Sequence, residues 1–308
     1  MRNNQINISV FIIVVIILGT HKVSCQDLID SSTIKHRFAV VDIRRNKAMI
    51  ISEDNEVEWQ YDVNTPTDIQ VLKNGNILVA GIEDVFELNF EGDVIWSFSG
   101  SGDLFSADAL KNGNYLIGCS AEFKLLELNK NHKEKRTIYT TTNNKDGHMH
   151  SRHVRKFKDG AYWVTLCADG LVNSYSRKGE ILRSISVRKL SEEYGIQNTK
   201  KQLAYSVEEL SNGHILISAG FPAFVAEIDK NGKLVWGLSA KDVPTANFIF
   251  SGGTKRLSNG NTLICNWTGH NYPNDYIPVF EVNREKEIVW SFNDKQKLPE
   301  PLGIYLLE

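Results

Sequence analysis

Apolar and polar positions alternate along this chain in short runs, and the runs recur. The first recurring pattern is an apolar residue, a polar stretch containing Asn-Gly or Asp-Gly, and then a mostly apolar run: VLKNGNILVAG, ALKNGNYLIGC, KFKDGAYWVTL, ELSNGHILISA and RLSNGNTLICN. A second pattern follows it, clearest at residues 85–98 (VFELNFEGDVIWSF), 225–238 (VAEIDKNGKLVWGL) and 279–292 (VFEVNREKEIVWSF). Its register is tight: Glu87, Glu227 and Glu281 each precede a tryptophan (Trp96, Trp236, Trp290) by nine residues, and Ile50 and Trp59 keep the spacing. Short apolar runs bounded by turn residues read as β-strands. Apolar residues on both faces of the second strand mean that both faces are buried, as when sheets pack on neighbours. The Asn-Gly pair predicts a two-residue type I′ hairpin turn, which needs φ > 0 twice. A repeat of about 40–50 residues built from four short strands is the signature of a propeller blade.

Five full repeats begin near Thr67, Phe105, His153, Tyr205 and Gly252. A sixth lacks its first strand: residues 38–61 supply FAVVDI, KAMIIS and EVEWQY, and the missing strand is LGIYLL at residues 302–307. An open ring would expose strand edges. The pattern therefore predicts an all-β, six-bladed β-propeller of four-stranded blades, closed by the C-terminal strand completing the first blade. The first-to-second and third-to-fourth turns are uniformly tight. All insertions fall on the other face: residues 140–151, 187–202, 239–248 and 266–278. Residues 188–195 (RKLSEEYG) are expected to form one or two helical turns. Long loops on a rigid scaffold are where binding residues concentrate, so the elaborated face is the candidate functional face.

Composition adds an address. An unbroken apolar run at residues 10–18 is too short to span a bilayer and suits a signal-peptide core. Cleavage after Cys25 would leave one propeller domain at residues 26–308, secreted or periplasmic. In the rival reading Cys25 carries a lipid anchor. The 35 basic and 37 acidic residues nearly cancel, so no global field favours nucleic acid. Cys119, Cys167 and Cys265 each fall in a second-strand segment and read as buried free thiols, with one inter-blade bridge as the alternative. A monomer with no membrane span is expected.

Aligned on the turns, the first strands give a column Asp68, Ser106, His153, Ser206, Gly253 and a second column Gln70, Asp108, Arg155, Glu208, Lys255. These should line the central channel, as solvated walls or as a site. Three of the eight histidines lie within residues 148–153 (His148, His150, His153), where an extended strand would put His148 and His150 on one face. Such a cluster can hold an anion or do acid–base or nucleophilic work. Without a carboxylate or Cys at fixed spacing, no metal site is expected. Trp267, His270 and Tyr272 share the longest second-to-third insertion and could form an aromatic platform for a sugar or aryl ring, or a plug in the channel mouth. The recurring Glu and Trp residues read as blade packing.

The pattern L-x-N-G-N-x-L followed by E-x-[ND]-x-x-G-x-x-x-W resembles the propeller repeats of arylsulfotransferase-like and PQQ-like bacterial proteins, over most of residues 38–308. That resemblance implies a six-bladed fold and a sulfuryl-transfer site in which His150 or His153 accepts the group and Arg152 or Arg155 clamps the sulfate. PQQ enzymes resemble eight-bladed discs, so no cofactor is expected here. The sequence thus points to a propeller that binds a carbohydrate or anionic small ligand at the loop-rich channel mouth. His148, Arg152, Asp68, Glu208, Trp267, His270 and Tyr272 are the candidate contacts. One alternative is an enzyme in the same pocket, using His150, His153 and Arg155 for sulfuryl transfer or a histidine base for lyase chemistry. Another is a protein-interaction scaffold.

Overall fold

A computed structural model describes residues 34–197, 202–270 and 273–307. The leader, Cys25 and Tyr272 lie outside the described residues. Six four-stranded antiparallel sheets form a ring. Their innermost strands, from blade 1 to blade 6, are Pro301–Leu307, Asp68–Val71, Ser106–Ala109, Ser151–Lys156, Ser206–Glu209 and Ser251–Arg256. Blade 1 joins the two ends of the chain. Its innermost strand pairs antiparallel with Arg37–Asp42, in register from Arg37 opposite Leu307 to Val41 opposite Gly303, with a shift that sets Asp42 opposite Pro301. The expected closure by the C-terminal strand is what the structure has.

The second strands, Ile77–Ala80 and Ile215–Ser218 among them, are buried on both faces. Each blade's apolar face packs on the next, so core clusters straddle pairs of blades. The elaborated face carries one helix, α1 (Val187–Glu193), as the sequence suggested. Ser186 caps it by accepting the Lys189 N–H at 3.3 Å, and Val187 and Leu190 anchor it in the core.

The tight turns differ from the two-residue type I′ form. The Leu72 carbonyl accepts the Gly75 N–H at 2.9 Å, and the Leu72 N–H reaches the Asn76 carbonyl at 2.8 Å. Gly75 has φ +86° and Asn74 stays at negative φ. This is a type I turn closed by a glycine bulge, and it needs only one left-handed residue. The Asn74 side chain holds it by accepting the Asn76 N–H at 3.1 Å. Asn112, Asp159, Asn212 and Asn259 do the same in blades 3 to 6.

The Glu–Trp spacing also acquires a cause. Glu87 lies opposite Trp96, Glu227 opposite Trp236 and Glu281 opposite Trp290, each pair at the start of a bulge. Each glutamate ties its own turn to the following blade. Glu87 accepts Asn76 Nδ2 at 2.6 Å and the Tyr115 hydroxyl of blade 3. Glu127 accepts Asn114 Nδ2 at 2.7 Å and, from blade 4, Tyr162 Oη at 2.6 Å and Lys156 Nζ at 3.0 Å. Glu227 takes His214 of its own turn and Arg256 and Arg284 of blade 6. Glu281 takes Asn261 and, across the closure, His36. The repeated Asn and Glu are inter-blade latches. Cys119, Cys167 and Cys265 are free and buried.

Candidate functional site

Two chambers lie along the ring axis. The lower one, about 250 Å³, is the channel proper and is lined by the innermost strands. The upper one, about 370 Å³, opens among the inserted loops and blade-to-blade links. Thr67, Tyr205 and Leu302 line both and so form the partition between them.

The lower chamber gathers the two polar columns. Arg155 grips Asp68 with both nitrogens at 2.8 Å, and Ser106 Oγ donates to Asp68 at 2.5 Å. Burial alone would raise the Asp68 carboxyl, but the charge and hydrogen bonds of Arg155 hold it below the ordinary carboxylate range. Gln70 Nε2 donates to Asp108 at 3.2 Å, and Lys255 pairs with Glu208. Burial raises the Asp108 carboxyl. His153 Nδ1 accepts the Val207 N–H at 3.2 Å, so its proton sits on Nε2, 3.8 Å from Asp68 Oδ1. Burial, then the nearby Arg155 charge, lowers the imidazole to about 3. At neutral pH this histidine is an uncharged donor facing a carboxylate that already has its partners.

The upper chamber is largely apolar and aromatic, with a few cationic or titratable groups in its lining. Phe105, Tyr205, Phe221, Phe250 and Trp267 supply the rings, and Arg152, His148 and His270 the polar groups. Trp267 meets Phe250 and His270 edge to face, at 4.8 and 4.7 Å between centroids. His148 packs edge-on against Phe105 and its Nδ1 lies 3.2 Å from Asp103. The Arg152 guanidinium carbon lies over Phe105 at 3.9 Å from the ring centre, beside the Met149 sulfur at 3.6 Å and the Cys167 thiol. Among the described residues it has no carboxylate partner. Arg155, Arg256 and Arg284, by contrast, all face carboxylates.

A β-bulge separates Arg152 from its neighbour. Ser151 pairs with Leu166 and Val154 with Val164, so Arg152 and His153 together oppose Thr165. The His153 N–H is satisfied by Thr165 Oγ1 at 2.9 Å. At this bulge Arg152 lines the upper chamber and His153 the lower.

The sequence candidates are therefore brought together in two groups. His148, Arg152, Trp267 and His270 line the upper chamber; Asp68, His153, Arg155 and Glu208 line the lower. His148 and His150 do not share a strand face, because Gly147–Met149 is a 3-10 turn and the strand begins at Ser151. His150 lines neither chamber. It is buried, and its Nε2 lies 2.5 Å from Thr140 Oγ1, whose own proton goes to the Phe123 carbonyl. Burial lowers its imidazole to about 4. Sequence reasoning missed the aromatic wall. Phe105, Tyr205 and Phe250 each stand immediately before an innermost strand. Extending the alignment by one residue would have found Phe105 and Tyr205, but Phe250 lies three positions ahead of Gly253, because a bulge intervenes. Among the described residues no three His, Cys, Asp or Glu side chains converge as metal ligands, and no helix is long and apolar enough to cross a membrane.

The sequence matches no protein-family model and no curated relative. Solved structures do resemble it. A protein of unknown function from Bacteroides caccae superposes with TM-score 0.77 at 23% identity, over 89% of this chain and 100% of that one. A streptogramin B lyase gives 0.61 at 11% identity, over 89% and 91%. A catalytically inactive virginiamycin B lyase from Staphylococcus aureus with quinupristin gives 0.59 at 12%, again over 89% and 91%. At these identities the likeness shows the β-propeller fold and no more.

Proposed function

We propose that the upper chamber binds a small anionic ligand with an apolar, preferably aromatic, body. The observation that carries this is Arg152. A guanidinium packed on a ring and two sulfurs, without a carboxylate among the described residues, is a charge that a bound anion would balance. The rings around it offer an apolar body edge and face contacts. A chamber of about 370 Å³ lies at the small end of ligand pockets, suited to one or two fused rings. A carbohydrate fits this lining less well, because few polar groups point into it.

The test is a thermal-shift panel of aryl carboxylates, aryl sulfates, their uncharged counterparts and sulfated oligosaccharides. A ligand that binds only the folded chain raises Tm. We expect shifts with the aryl anions, lost in Arg152→Gln. Shifts confined to the oligosaccharides would overturn the aryl reading in favour of a sugar.

A lyase or transferase in the same chamber is the second reading. It rests on the two imidazoles, His148 and His270, that flank the same cavity, and on fold neighbours that include lyases. Mass spectrometry of each binding compound after incubation decides it. Intact compound supports a binding module; a product lost in His148→Ala or His270→Ala supports an enzyme.

A further inference from the structure

Tyr205 sits on the partition between the chambers, lines both, and is 95% buried, being only 5% exposed. Its ring is held edge-on by Phe250 at 5.0 Å between centroids. Its backbone is fixed as well: the N–H donates to the Ser218 carbonyl at 2.9 Å, and the Tyr205 carbonyl accepts Thr165 Oγ1 at 3.0 Å. Its hydroxyl, among the described residues, has no hydrogen-bond partner, whereas two other buried tyrosines, Tyr115 and Tyr162, both donate to glutamates. A phenol hydroxyl on a cavity wall with no protein partner keeps a donor free for a bound molecule. It shares the lining of the upper chamber with Arg152 and Cys167.

We infer that the Tyr205 hydroxyl and the Arg152 guanidinium are paired donors for one anionic head group, held at the floor of the upper chamber. This rests on the reading of that chamber as an anion site. It adds a second anchor and an orientation: the charged end points down to the partition and the apolar body lies between Phe105, Phe221, Phe250 and Trp267. A planar carboxylate suits the pair, with one oxygen for each donor. The chemical class is then an aromatic or alicyclic carboxylic acid of one or two rings.

The experiment is calorimetric titration of 2-naphthoate and of uncharged 2-naphthylmethanol into the wild-type chain, Tyr205→Phe and Arg152→Gln. Tyr205→Phe keeps the ring and its contact with Phe250, and its thermal unfolding checks that the fold is intact. We expect Tyr205→Phe to weaken 2-naphthoate by about ten- to one-hundred-fold, the effect of losing one hydrogen bond to a charged group, with 2-naphthylmethanol unchanged. Unchanged 2-naphthoate affinity in Tyr205→Phe, with a clear loss in Arg152→Gln, overturns this inference and leaves the anion site standing. Equal losses for both compounds in Tyr205→Phe overturn it too, because the hydroxyl then does not read the charge. No binding of 2-naphthoate to the wild-type chain overturns both readings together.

Discussion

Arg152 and His153 are neighbours in sequence with opposite circumstances. One keeps its charge beside rings and sulfurs; the other is buried and uncharged. The titration of His153 and His150 has a consequence for stability. Each is lowered from an ordinary value near 6.5, to about 3 and about 4 respectively. Between those limits the unfolded chain binds protons that the folded chain refuses, so stability falls as pH drops below about 6.5. Each histidine contributes a slope of roughly 1.4 kcal/mol per pH unit inside its window. We expect urea unfolding between pH 6.5 and 5 to show this slope, reduced by about half in His153→Gln. A flat profile over that range would mean that neither imidazole is buried. The polar columns around His153 were legible in the sequence because the turns fix their alignment. The division of Arg152 and His153 between two chambers was not. A bulge of one residue reverses which way a side chain points, and no residue in Ser151–Lys156 announces it. Tyr205 was read only as the start of a repeat, since nothing in sequence distinguishes a phenol with a partner from one without.

At the scale of the element, the blade-to-blade latches should carry measurable energy. Glu127 is buried, and the hydrogen bonds of Tyr162, Asn114 and Lys156 outweigh burial to hold its carboxyl down to about 2. Removing it in Glu127→Ala strands those donors, and we expect a loss of about 3 kcal/mol in denaturant unfolding. The exposed pair of Arg37 and Glu58 gives the contrast: Glu58→Ala should cost less than about 1 kcal/mol. Equal effects would show that the latches are incidental. Close approach of innermost strands gives another case. A Cβ on Gly303 would lie 2.8 Å from the Thr67 carbonyl oxygen and 3.1 Å from Asp68 Cα, both backbone. Neither atom can swing aside, so Gly303→Ala should destabilise by about 1–3 kcal/mol and disturb the Asp68 side of the channel. The strands themselves were legible from alternation and turn residues. The turn type was not, because Asn-Gly serves both a type I′ turn and a type I turn with a glycine bulge. The Asn side chain bonding two residues ahead decides between them.

For the whole molecule, the closing strand is the defining feature. Blade 1 is assembled from both ends of the chain, so a truncation before Pro301 removes one strand and exposes the edge of Arg37–Asp42. We expect the truncated chain to lose roughly 10 °C or more in Tm and to associate at its open edge, as light scattering would report. The blade count, the closure and the loop-rich face could all be read from the repeat, because each follows from spacing. The chemistry could not, because the chamber is made by single residues from links in different blades. The upper chamber is accordingly the most direct point of test. Calorimetric titration should show the wild-type chain preferring 2-naphthoate over 2-naphthylmethanol by about tenfold or more, the contribution of one charge-assisted contact, and losing that preference in Arg152→Gln. Equal affinity for the two compounds, or a preference that survives the substitution, would contradict the reading of Arg152 as the anchor of an anion site.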